Sequence, residues 1–342
     1  MKYNYFGNTG LVVSELCFGT MTFGGEGYWK AIGSLQQEEV NKLIKETISG
    51  GINFIDTANI YSYGESERLL GISIKELGVN RNDLVIATKV RGRMSESINN
   101  LGLSRYHIFQ SVDASLERLQ MDHIDILYVH GLDLYTPIEQ TMRALNDIVN
   151  TGKVRYIAVC NWPAWMVMKA QGIADKNGWH KFEGLQYFYS IAGRDIEREI
   201  VPMALDQKLA IMPWSPLAGG FMTGKFTRNN EKAGDSRRDN FDFPPINKAK
   251  AYDIIDVLAG IAKAHEATVA QIALAWVRHQ AGVTSTLIGA KNVQQLTDNI
   301  HSTNLLLNQE ELKQLNDISA LNKEYPGWMV ERQSTDRQLN IK

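Results

Sequence analysis

The sequence lacks the features that mark secreted, membrane-spanning or metal-binding proteins. It has two cysteines, Cys17 and Cys160, in no CxxC motif or Cys/His cluster, which excludes a disulfide framework and gives no metal site. No apolar run approaches the roughly 20 residues that a transmembrane helix needs. Near the start, Asn4, Gly7 and Asn8 interrupt the apolar stretch that a signal peptide requires. We therefore expect a cytoplasmic protein.

An excess of charge of either sign is also absent. The formal net charge is -2, which gives no electrostatic basis for binding nucleic acid or an anionic membrane. With 44% hydrophobic and 22% charged residues, the composition is that of a globular protein. The 342 residues suffice for one large barrel or two ordinary domains. Because no composition break marks a second domain, we expect 1–342 to form a single domain.

Short apolar runs recur along the chain, mostly separated by helical patterns such as those over 108–119, 138–149 and 254–264. Eight of them predict strands: Leu16–Gly19, Ile52–Asp56, Leu84–Lys89, Ile124–His130, Val154–Val159, Gly184–Gln186, Ala210–Pro213 and Thr286–Gly289. Continuous apolar strands are buried on both faces, as a parallel sheet requires. Eight strand–helix units favour an α/β fold of the closed (β/α)8 TIM barrel type over an open doubly wound sheet.

Three segments lie outside this repeat. Residues 1–14, with a turn at 7–10, predict an N-terminal β-hairpin that plugs the bottom of the barrel. Residues 225–248 are polar and carry both charge signs, which predicts a long surface loop. Residues 321–342 form a C-terminal tail in which Tyr325 and Trp328 predict a lid docked over the site.

Proton-handling side chains follow three neighbouring strands at their carboxyl ends. Asp56, Lys89 and His130 end the second, third and fourth predicted strands, and Tyr61 lies in the loop after Asp56. Chemistry in barrels of this kind occurs at these strand ends, so we expect the four side chains to meet. Each alone has an ordinary explanation, such as a helix cap or a satisfied core histidine. Their occurrence on adjacent strands favours a catalytic set.

The segment 56–71 carries the most specific motif of the sequence. Asp56 and Tyr61 stand five residues apart, and a Gly-x-Ser-Glu-x-x-Leu-Gly helix start follows. This segment resembles the signature of the aldo-keto reductase superfamily. The likeness continues at 87–89, 128–130, 152–157, 214–217 and 288–291, the last as in the bacterial and channel β-subunit-like branches with a Gly-Ala-Lys/Arg motif. It implies carbonyl reduction by a catalytic tetrad of Asp56, Tyr61, Lys89 and His130.

The chemistry of these four residues is consistent with that reaction. Tyrosine has an ordinary pKa of about 10, and a neighbouring Lys89 ammonium is expected to lower the pKa of Tyr61. Asp56 would keep Lys89 charged, while His130 would orient the substrate carbonyl. Tyr61 would then give a proton to the developing alkoxide as a nicotinamide delivers hydride to carbon.

Two nucleotide-binding motifs are absent or incomplete. Gly219–Lys225 fits Gly-x4-Gly-Lys, but Phe226 stands where a P-loop needs Ser or Thr. No Gly-x-Gly-x-x-Gly occurs, so a Rossmann domain is unsupported. We interpret Gly219–Lys225 as backbone that contacts the phosphates of a dinucleotide held by the barrel's own loops.

The resemblance also implies cofactor contacts. Asn161 and Gln186 correspond to the residues that hold the nicotinamide carboxamide, and Trp214 to the aromatic that stacks on its ring. The remaining contacts are Ser215, Leu217, Gly219, Lys225, Gly289, Ala290, Lys291, Gln295 and Asn299. Lys291 would lie near the ribose, where a cation favours a 2′-phosphate, so we predict NADPH, with NADH as the alternative because Gln295 is neutral. Cys160 replaces a common Ser and is either redox-sensitive or simply buried.

The substrate is expected to be a small-molecule aldehyde or ketone. Trp29, Trp162, Tyr325 and Trp328 would line an apolar pocket for it, although each of these aromatics could equally pack a loop. Two other functions stay open: a regulatory subunit that keeps the fold and cofactor, and a Schiff-base aldolase or isomerase with Lys89 as nucleophile. The sequence fixes neither the physiological substrate, the preferred direction nor the oligomeric state.

Overall fold

An eight-stranded parallel sheet forms the centre of the molecule, preceded by a hairpin. The computed structural model describes residues 1–25, 27–230, 234, 237–239 and 241–334. Its strands are β1 (Tyr3–Tyr5), β2 (Val12–Ser14), β3 (Leu16–Gly19), β4 (Phe54–Asp56), β5 (Val85–Val90), β6 (Ile124–Val129), β7 (Val154–Cys160), β8 (Phe182–Phe188), β9 (Ala210–Trp214) and β10 (Thr286–Ile288). The eight predicted barrel strands correspond to β3–β10.

The sheet closes almost completely into a barrel. Its strand order is β10-β3-β4-β5-β6-β7-β8-β9, with every neighbouring pair parallel. The backbone N–H of Thr284, just before β10, donates to Ile211 O in β9 at 2.9 Å and joins the two remaining edges. The (β/α)8 barrel predicted from the repeated apolar runs is thus confirmed.

Helices surround the barrel, and their polar faces point outwards. They are α1 (Gln37–Ser49), α2 (Glu65–Glu76), α3 (Arg105–Leu119), α4 (Ile138–Asn150), α5 (Ala164–Asn177), α6 (Ile200–Gln207), α7 (Lys248–Ala264), α8 (Val269–Arg278), α9 (Val293–His301), α10 (Gln309–Ser319) and α11 (Gly327–Ser334). Helix α7 begins before the predicted start at 254 because Asn247 caps it, accepting from Lys250 N at 3.2 Å. Among the described residues, no helix combines the length and apolarity needed to cross a lipid bilayer.

The hairpin of β1 and β2 closes the lower end of the barrel, as predicted. Phe6 is fully buried and its ring packs edge-on against Phe54, with centroids 6.1 Å apart. On the opposite wall stands Gly184 in β8, where an added Cβ would lie 2.4 Å from Phe6 Cζ. Only a residue without a side chain fits there, because the phenyl ring occupies the space a side chain would need.

The predicted surface loop is anchored to the loop after β9. Residues 231–233, 235, 236 and 240 of this prediction lie outside the described residues. We call residues 237–239 and 241–247 the strap. Its Arg238 is buried and donates to Ala218 O at 2.6 Å and to Pro244 O at 2.8 Å. The bond to Ala218 O holds the strap against the loop after β9, and the bond to Pro244 O is made within the strap.

The C-terminal tail lies against the loop that follows β8. Arg198 in that loop pairs with Glu324 at 3.2 Å and donates to Asn322 O at 3.1 Å. The rings of Tyr325 and Trp328 contact one another at 5.9 Å, and Tyr325 is 73% exposed. A lid function for the tail, and a pocket role for these two aromatics, stay predictions. Residues 335–342 lie outside the described part of the chain.

Candidate active site

The ammonium group of Lys89 is the centre of the predicted tetrad. Lys89 lies near the end of β5 and is fully buried. Its Nζ forms an ion pair with Asp56 Oδ2, donates to Thr57 O at 2.8 Å and lies 3.4 Å from the hydroxyl of Tyr61. Three acceptors therefore surround one buried cation, which satisfies the donors of the ammonium.

The backbone around Tyr61 explains how its side chain reaches Lys89. Asp56 ends β4, and the chain then turns sharply through Ser62 and Tyr63, both with positive φ (47° and 53°). The Ser62 hydroxyl fixes this turn, donating to Phe23 O at 2.9 Å and accepting from Gly25 N at 2.8 Å. The tight turn keeps the Tyr61 hydroxyl within reach of the Lys89 ammonium.

Burial and charge act in opposite directions on these groups. Burial alone would lower the pKa of Lys89, but Asp56, with Tyr61 and Cys160, raises it above its ordinary value. Burial raises the pKa of Tyr61, and Lys89 opposes that increase without reversing it. Lys89 thus lowers the pKa of Tyr61 as expected, but burial outweighs this effect and the net pKa of Tyr61 is raised. At neutral pH Lys89 is an ammonium, a poor nucleophile for Schiff-base chemistry, and Tyr61 keeps its proton.

His130 completes the tetrad directly after β6. Its backbone N–H donates to Val90 O at 3.0 Å, and its ring lies 5.8 Å from the Tyr61 ring at 77°. Limited access of solvent, together with the Lys89 and Arg91 cations, lowers the pKa of His130 to about 3. The imidazole is therefore neutral near pH 7 and can donate a hydrogen bond without carrying charge.

Of the predicted pocket aromatics, Trp29 reaches the tetrad and Trp162 does not. The Trp29 ring packs against Tyr61 at a centroid distance of 5.4 Å. Trp162 is only 2% exposed and packs against Phe182 in the main hydrophobic core, at 5.9 Å. Asn161, with φ 58°, turns the chain at the end of β7 immediately before it. We therefore correct the assignment: Trp162 is a core residue and not a wall of the substrate pocket.

Asn161 and Trp214 meet on the same face of the barrel. Trp214 Nε1 donates to Asn161 Oδ1 at 3.1 Å, which leaves the Asn161 amide N–H groups as donors at an exposed position. The Trp214 ring also contacts Phe188 at 5.2 Å and is stacked with Phe243 of the strap, at 5.8 Å and 10°. Ring stacking on Trp214 is thus a contact that this surface can make.

The loop after β9 turns tightly through residues with left-handed backbone. Ser215, Ala218, Gly219 and Gly220 have φ values of 53°, 49°, 68° and 94°. The N–H of Gly219 donates to Ser215 Oγ at 2.8 Å. Ser215, Leu217 and Gly219 keep part of their surface open to solvent, and Lys225 is exposed. Curled backbone of this kind, next to a lysine, suits an anion such as a phosphate.

The end of β10 leads into the start of α9. Nothing lies within 4 Å of where a Cβ of the exposed Gly289 would stand, so a ligand can approach its backbone closely. Lys291 and Gln295 are exposed, and Lys291 N donates to Gln295 Oε1 at 2.9 Å. This open backbone, with a cation beside a helix N-terminus, fits a phosphate-bearing cofactor.

Two predicted cofactor residues, Ala290 after β10 and Asn299 in α9, are buried and form hydrogen bonds with protein groups. Asn299 Nδ2 donates to Gly289 O at 3.2 Å, and Ala290 O accepts from Thr22 Oγ1 at 3.1 Å. Cys160 is buried as well, and burial raises the pKa of its thiol. A thiol that stays protonated reacts poorly with oxidants, which favours the structural explanation of Cys160 over the redox one.

Sequence reasoning missed a polar layer behind the tetrad. Glu67 in α2 is fully buried, accepts from Thr88 Oγ1 in β5 and from Arg118 Nε in α3 at 2.7 Å, and so ties two helices to the strand of Lys89. The aromatic strap residues Phe241 and Phe243 were also missed. The sequence did contain a sign of their role, because two phenylalanines in an otherwise polar loop are expected to pack against an apolar surface.

Comparisons with known proteins agree with this geometry. A sequence model described as the aldo/keto reductase family matches residues 15–320. The chain belongs to the aldo/keto reductase family. It is 34% identical to versiconal hemiacetal acetate reductase of Aspergillus parasiticus, covering 96% of this chain and 99% of the relative.

Two further relatives show the range of named functions. Norsolorinic acid reductase of Aspergillus flavus is 34% identical, over 93% of this chain and 81% of the relative. A protein of Arabidopsis thaliana named "Probable voltage-gated potassium channel subunit beta" is 33% identical, over 90% of this chain and 92% of the relative. Family membership and the named reductases make the chain an oxidoreductase of the carbonyl-reducing, nicotinamide-dependent type.

Proposed function

We propose that the chain catalyses the reversible, NADPH-dependent reduction of an aldehyde or ketone to an alcohol, with Tyr61 as proton donor. The observation that carries the proposal is the buried Lys89 ammonium, which pairs with Asp56 and lies 3.4 Å from the Tyr61 hydroxyl. A cation held at this distance stabilises the phenolate that remains after proton transfer. We expect the protein to act in the cytoplasm on a small molecule, without nucleic acid or membrane.

The cofactor would occupy the rim from β7 to β10. Asn161 and Gln186 would hold its carboxamide, Trp214 its nicotinamide ring, and Ser215, Leu217, Gly219, Lys225, Gly289, Ala290, Lys291, Gln295 and Asn299 would line the path of its phosphates and adenosine. When bound, the nicotinamide supplies the hydride. The exposed Lys291 beside the start of α9 is the reason for preferring NADPH, since a cation there would pair with a 2′-phosphate.

The tetrad side chains have separate tasks in this reaction. The neutral His130 donates a hydrogen bond to the substrate carbonyl oxygen and places it near the Tyr61 hydroxyl. Tyr61 gives its proton to the oxygen as negative charge develops there, and Lys89 stabilises the resulting phenolate. Asp56 keeps Lys89 charged in a site that solvent barely reaches. Trp29 beside Tyr61 supports a substrate with an apolar or aromatic body.

Oxidation of NADPH and of NADH over a panel of aldehydes and ketones tests the proposal. We expect turnover with at least one carbonyl, at higher kcat/KM with NADPH. Tyr61→Phe should reduce kcat by about 10²- to 10⁴-fold while nucleotide affinity stays within a few-fold of the wild type. Unimpaired reduction by Tyr61→Phe, with nucleotide still bound, would show that another group donates the proton.

A second candidate is a cofactor-binding regulatory subunit with residual reductase activity. The similarity to the Arabidopsis protein named as a channel subunit favours it. The tetrad does not separate the two functions, because a regulatory subunit can retain it. The same panel decides: nucleotide binding without turnover of any carbonyl would favour the regulatory function over the catalytic one.

A further inference from the structure

Asp56 is held at both of its carboxylate oxygens, and the two donors have different origins. Lys89 binds Oδ2, while Gln186 Nε2 donates to Oδ1 at 2.9 Å. The three residues are 1%, 1% and 3% exposed, so solvent hardly competes for these bonds. A hydrogen bond to a buried charge is among the stronger interactions in proteins.

Gln186 reaches Asp56 from the far side of the barrel. Its strand β8 stands four places from β4 in the eight-stranded order, which is diametrically opposite. Lys89 reaches Asp56 from the neighbouring strand β5. The Gln186–Asp56 bond therefore spans the barrel interior and fixes Asp56 in a direction that its neighbouring strands do not control.

Gln186 also borders the region assigned to the nicotinamide. It pairs in register with Cys160, the residue before Asn161. Its Nε2 is engaged by Asp56, whereas its Oε1 is a separate acceptor, and the side chain also faces the hydroxyl of Tyr128 in β6. One side chain can thus bind Asp56 through its nitrogen and a ligand through its oxygen.

We propose that Gln186 is a positioning residue for proton transfer: by holding Asp56 Oδ1, it aligns Asp56 so that Lys89 stays against the Tyr61 hydroxyl. The inference rests on the proposed function and adds to it a link between the cofactor site and the proton donor. Without the Gln186 donor, Asp56 Oδ1 would be a buried acceptor with no partner, and the carboxylate could rotate away from Lys89.

The groups around Asp56 determine how the pKa of its carboxyl group should respond to a change at Gln186. Burial raises the pKa of Asp56, and Lys89 and Gln186 both lower it. The other titratable groups that face Asp56 are Cys17 from β3, Tyr61 from the loop after β4, Tyr128 from β6 and Cys160 from β7. Removal of the Gln186 donor should therefore raise the pKa of Asp56 further, because only Lys89 would remain to stabilise its charge.

Two substitutions at Gln186 and one control separate this role from cofactor binding. Gln186→Met removes the donor at similar volume. Gln186→Glu restores a donor only when the new carboxyl group is protonated. Asn161→Gly is the control: it removes the other predicted carboxamide contact, glycine tolerates the φ of 58° at this position, and Asp56 keeps its partners.

Three quantities are measured for each variant. The first is the titration of the Asp56 carboxyl group, followed by ¹³C NMR without nucleotide, with its signal assigned through Asp56→Asn. The others are the nucleotide affinity and the dependence of kcat on pH.

Opposite pH responses are expected for the two Gln186 variants. In Gln186→Met the Asp56 titration and the acid limb of kcat should move up by about one pH unit, with kcat lowered about tenfold. In Gln186→Glu, kcat should recover as pH falls and the new carboxyl group becomes a donor. Asn161→Gly should weaken nucleotide binding and keep the wild-type Asp56 titration and pH profile.

An unchanged Asp56 titration in Gln186→Met, with only nucleotide affinity reduced, would overturn the inference and leave Gln186 as a cofactor contact. If the wild type reduces no carbonyl, the proposed function fails by itself. The NMR titration still decides the role of Gln186 in that case, because it needs neither nucleotide nor turnover.

Discussion

Two buried ion pairs stand at opposite ends of the barrel. At the upper end, the side chains of Lys89 and Asp56 are 0% and 1% exposed. At the lower end, Arg278 and Glu15 are 7% and 8% exposed. Arg278 also donates to Ser302 O at 2.5 Å, and Glu15 accepts from Lys2 N at 2.7 Å. Both pairs are shielded from solvent, yet they differ in the other groups to which their side chains bind.

The other hydrogen-bond partners of the two ion pairs indicate a structural role for the lower pair and a chemical role for the upper pair. The lower pair ends on backbone groups, which fix the junction between α8, β3 and the hairpin. The upper pair directs its cation at the Tyr61 hydroxyl, which can lose a proton. A buried ion pair contributes little net stability, because desolvation offsets its attraction. The lower ion pair instead fixes the position of the chain segments around it, and the upper ion pair holds a positive charge beside the Tyr61 hydroxyl.

The strongest test of this difference is Lys89→Met. We expect kcat to fall by about 10²- to 10⁴-fold. The free energy of unfolding should also drop by about 3–5 kcal/mol, because Asp56 is left buried without a counter-charge. The double variant Lys89→Met, Asp56→Asn should recover stability and not kcat. Recovery of kcat in the double variant would contradict a catalytic role for the upper pair.

Arg278→Met tests the lower pair. It should reduce the free energy of unfolding by about 3–5 kcal/mol in urea denaturation, since Glu15 loses its partner. At temperatures where the variant is folded, kcat should stay within about twofold of the wild type. Adding Glu15→Gln should restore most of the stability. A large loss of kcat in the folded variant would mean that the two ends of the barrel are coupled.

The strap allows a smaller test confined to the upper end. Because Phe243 stacks on Trp214, the proposed nicotinamide partner, we expect Phe243→Ala to speed nucleotide release. A lost aromatic pair corresponds to about a three- to tenfold change, measured by stopped-flow fluorescence. Tyr135→Ala, at a position 97% exposed after β6, serves as the control and should leave the rate unchanged. Equal rates in Phe243→Ala and wild type would show that the strap does not limit release.

The smallest expected effect is that kcat does not change with pH through a titration of His130. Because the pKa of His130 is lowered to about 3, its imidazole is neutral both at pH 5 and at pH 8. A histidine with an ordinary pKa would give an inflection near 6.5. We expect kcat for carbonyl reduction to show none between pH 5 and pH 8. An inflection near 6.5 that His130→Gln removes would mean that the imidazolium takes part in catalysis.

The barrel and the meeting of the four tetrad side chains were predictable because local sequence carries both. Strands buried on both faces appear as apolar runs, and their ends identify Asp56, Lys89 and His130 directly. The Asp56–Gln186 bond joins residues 130 positions apart, and no local pattern encodes it. Trp162 was misassigned for a related reason: the left-handed turn at Asn161 precedes it, and the sequence alone does not show which way the next side chain points.

The net pKa of Tyr61 shows a further limit of sequence reasoning. The Lys89 charge was correctly expected to lower it, because the two residues could be placed on adjacent strands. Burial, which outweighs that charge, depends on how Trp29, His130 and the loop around Ser62 pack together. The anchoring of the strap likewise depends on the carbonyl of Ala218, which lies in a separate turn and which Arg238 reaches only in the folded protein.

The plug formed by Phe6 against Gly184 has a consequence for proton traffic. Because Phe6 fills the floor of the barrel beside Phe54 and Gly184, we expect Lys89 and Tyr61 to exchange protons with bulk water across the mouth, the route that the reactants would also take. While cofactor and substrate occupy the mouth, they would separate Lys89 and Tyr61 from bulk water for the duration of one turnover. The proton that Tyr61 gives up would then be replaced from solvent after the product leaves, which makes product release and reprotonation a shared step.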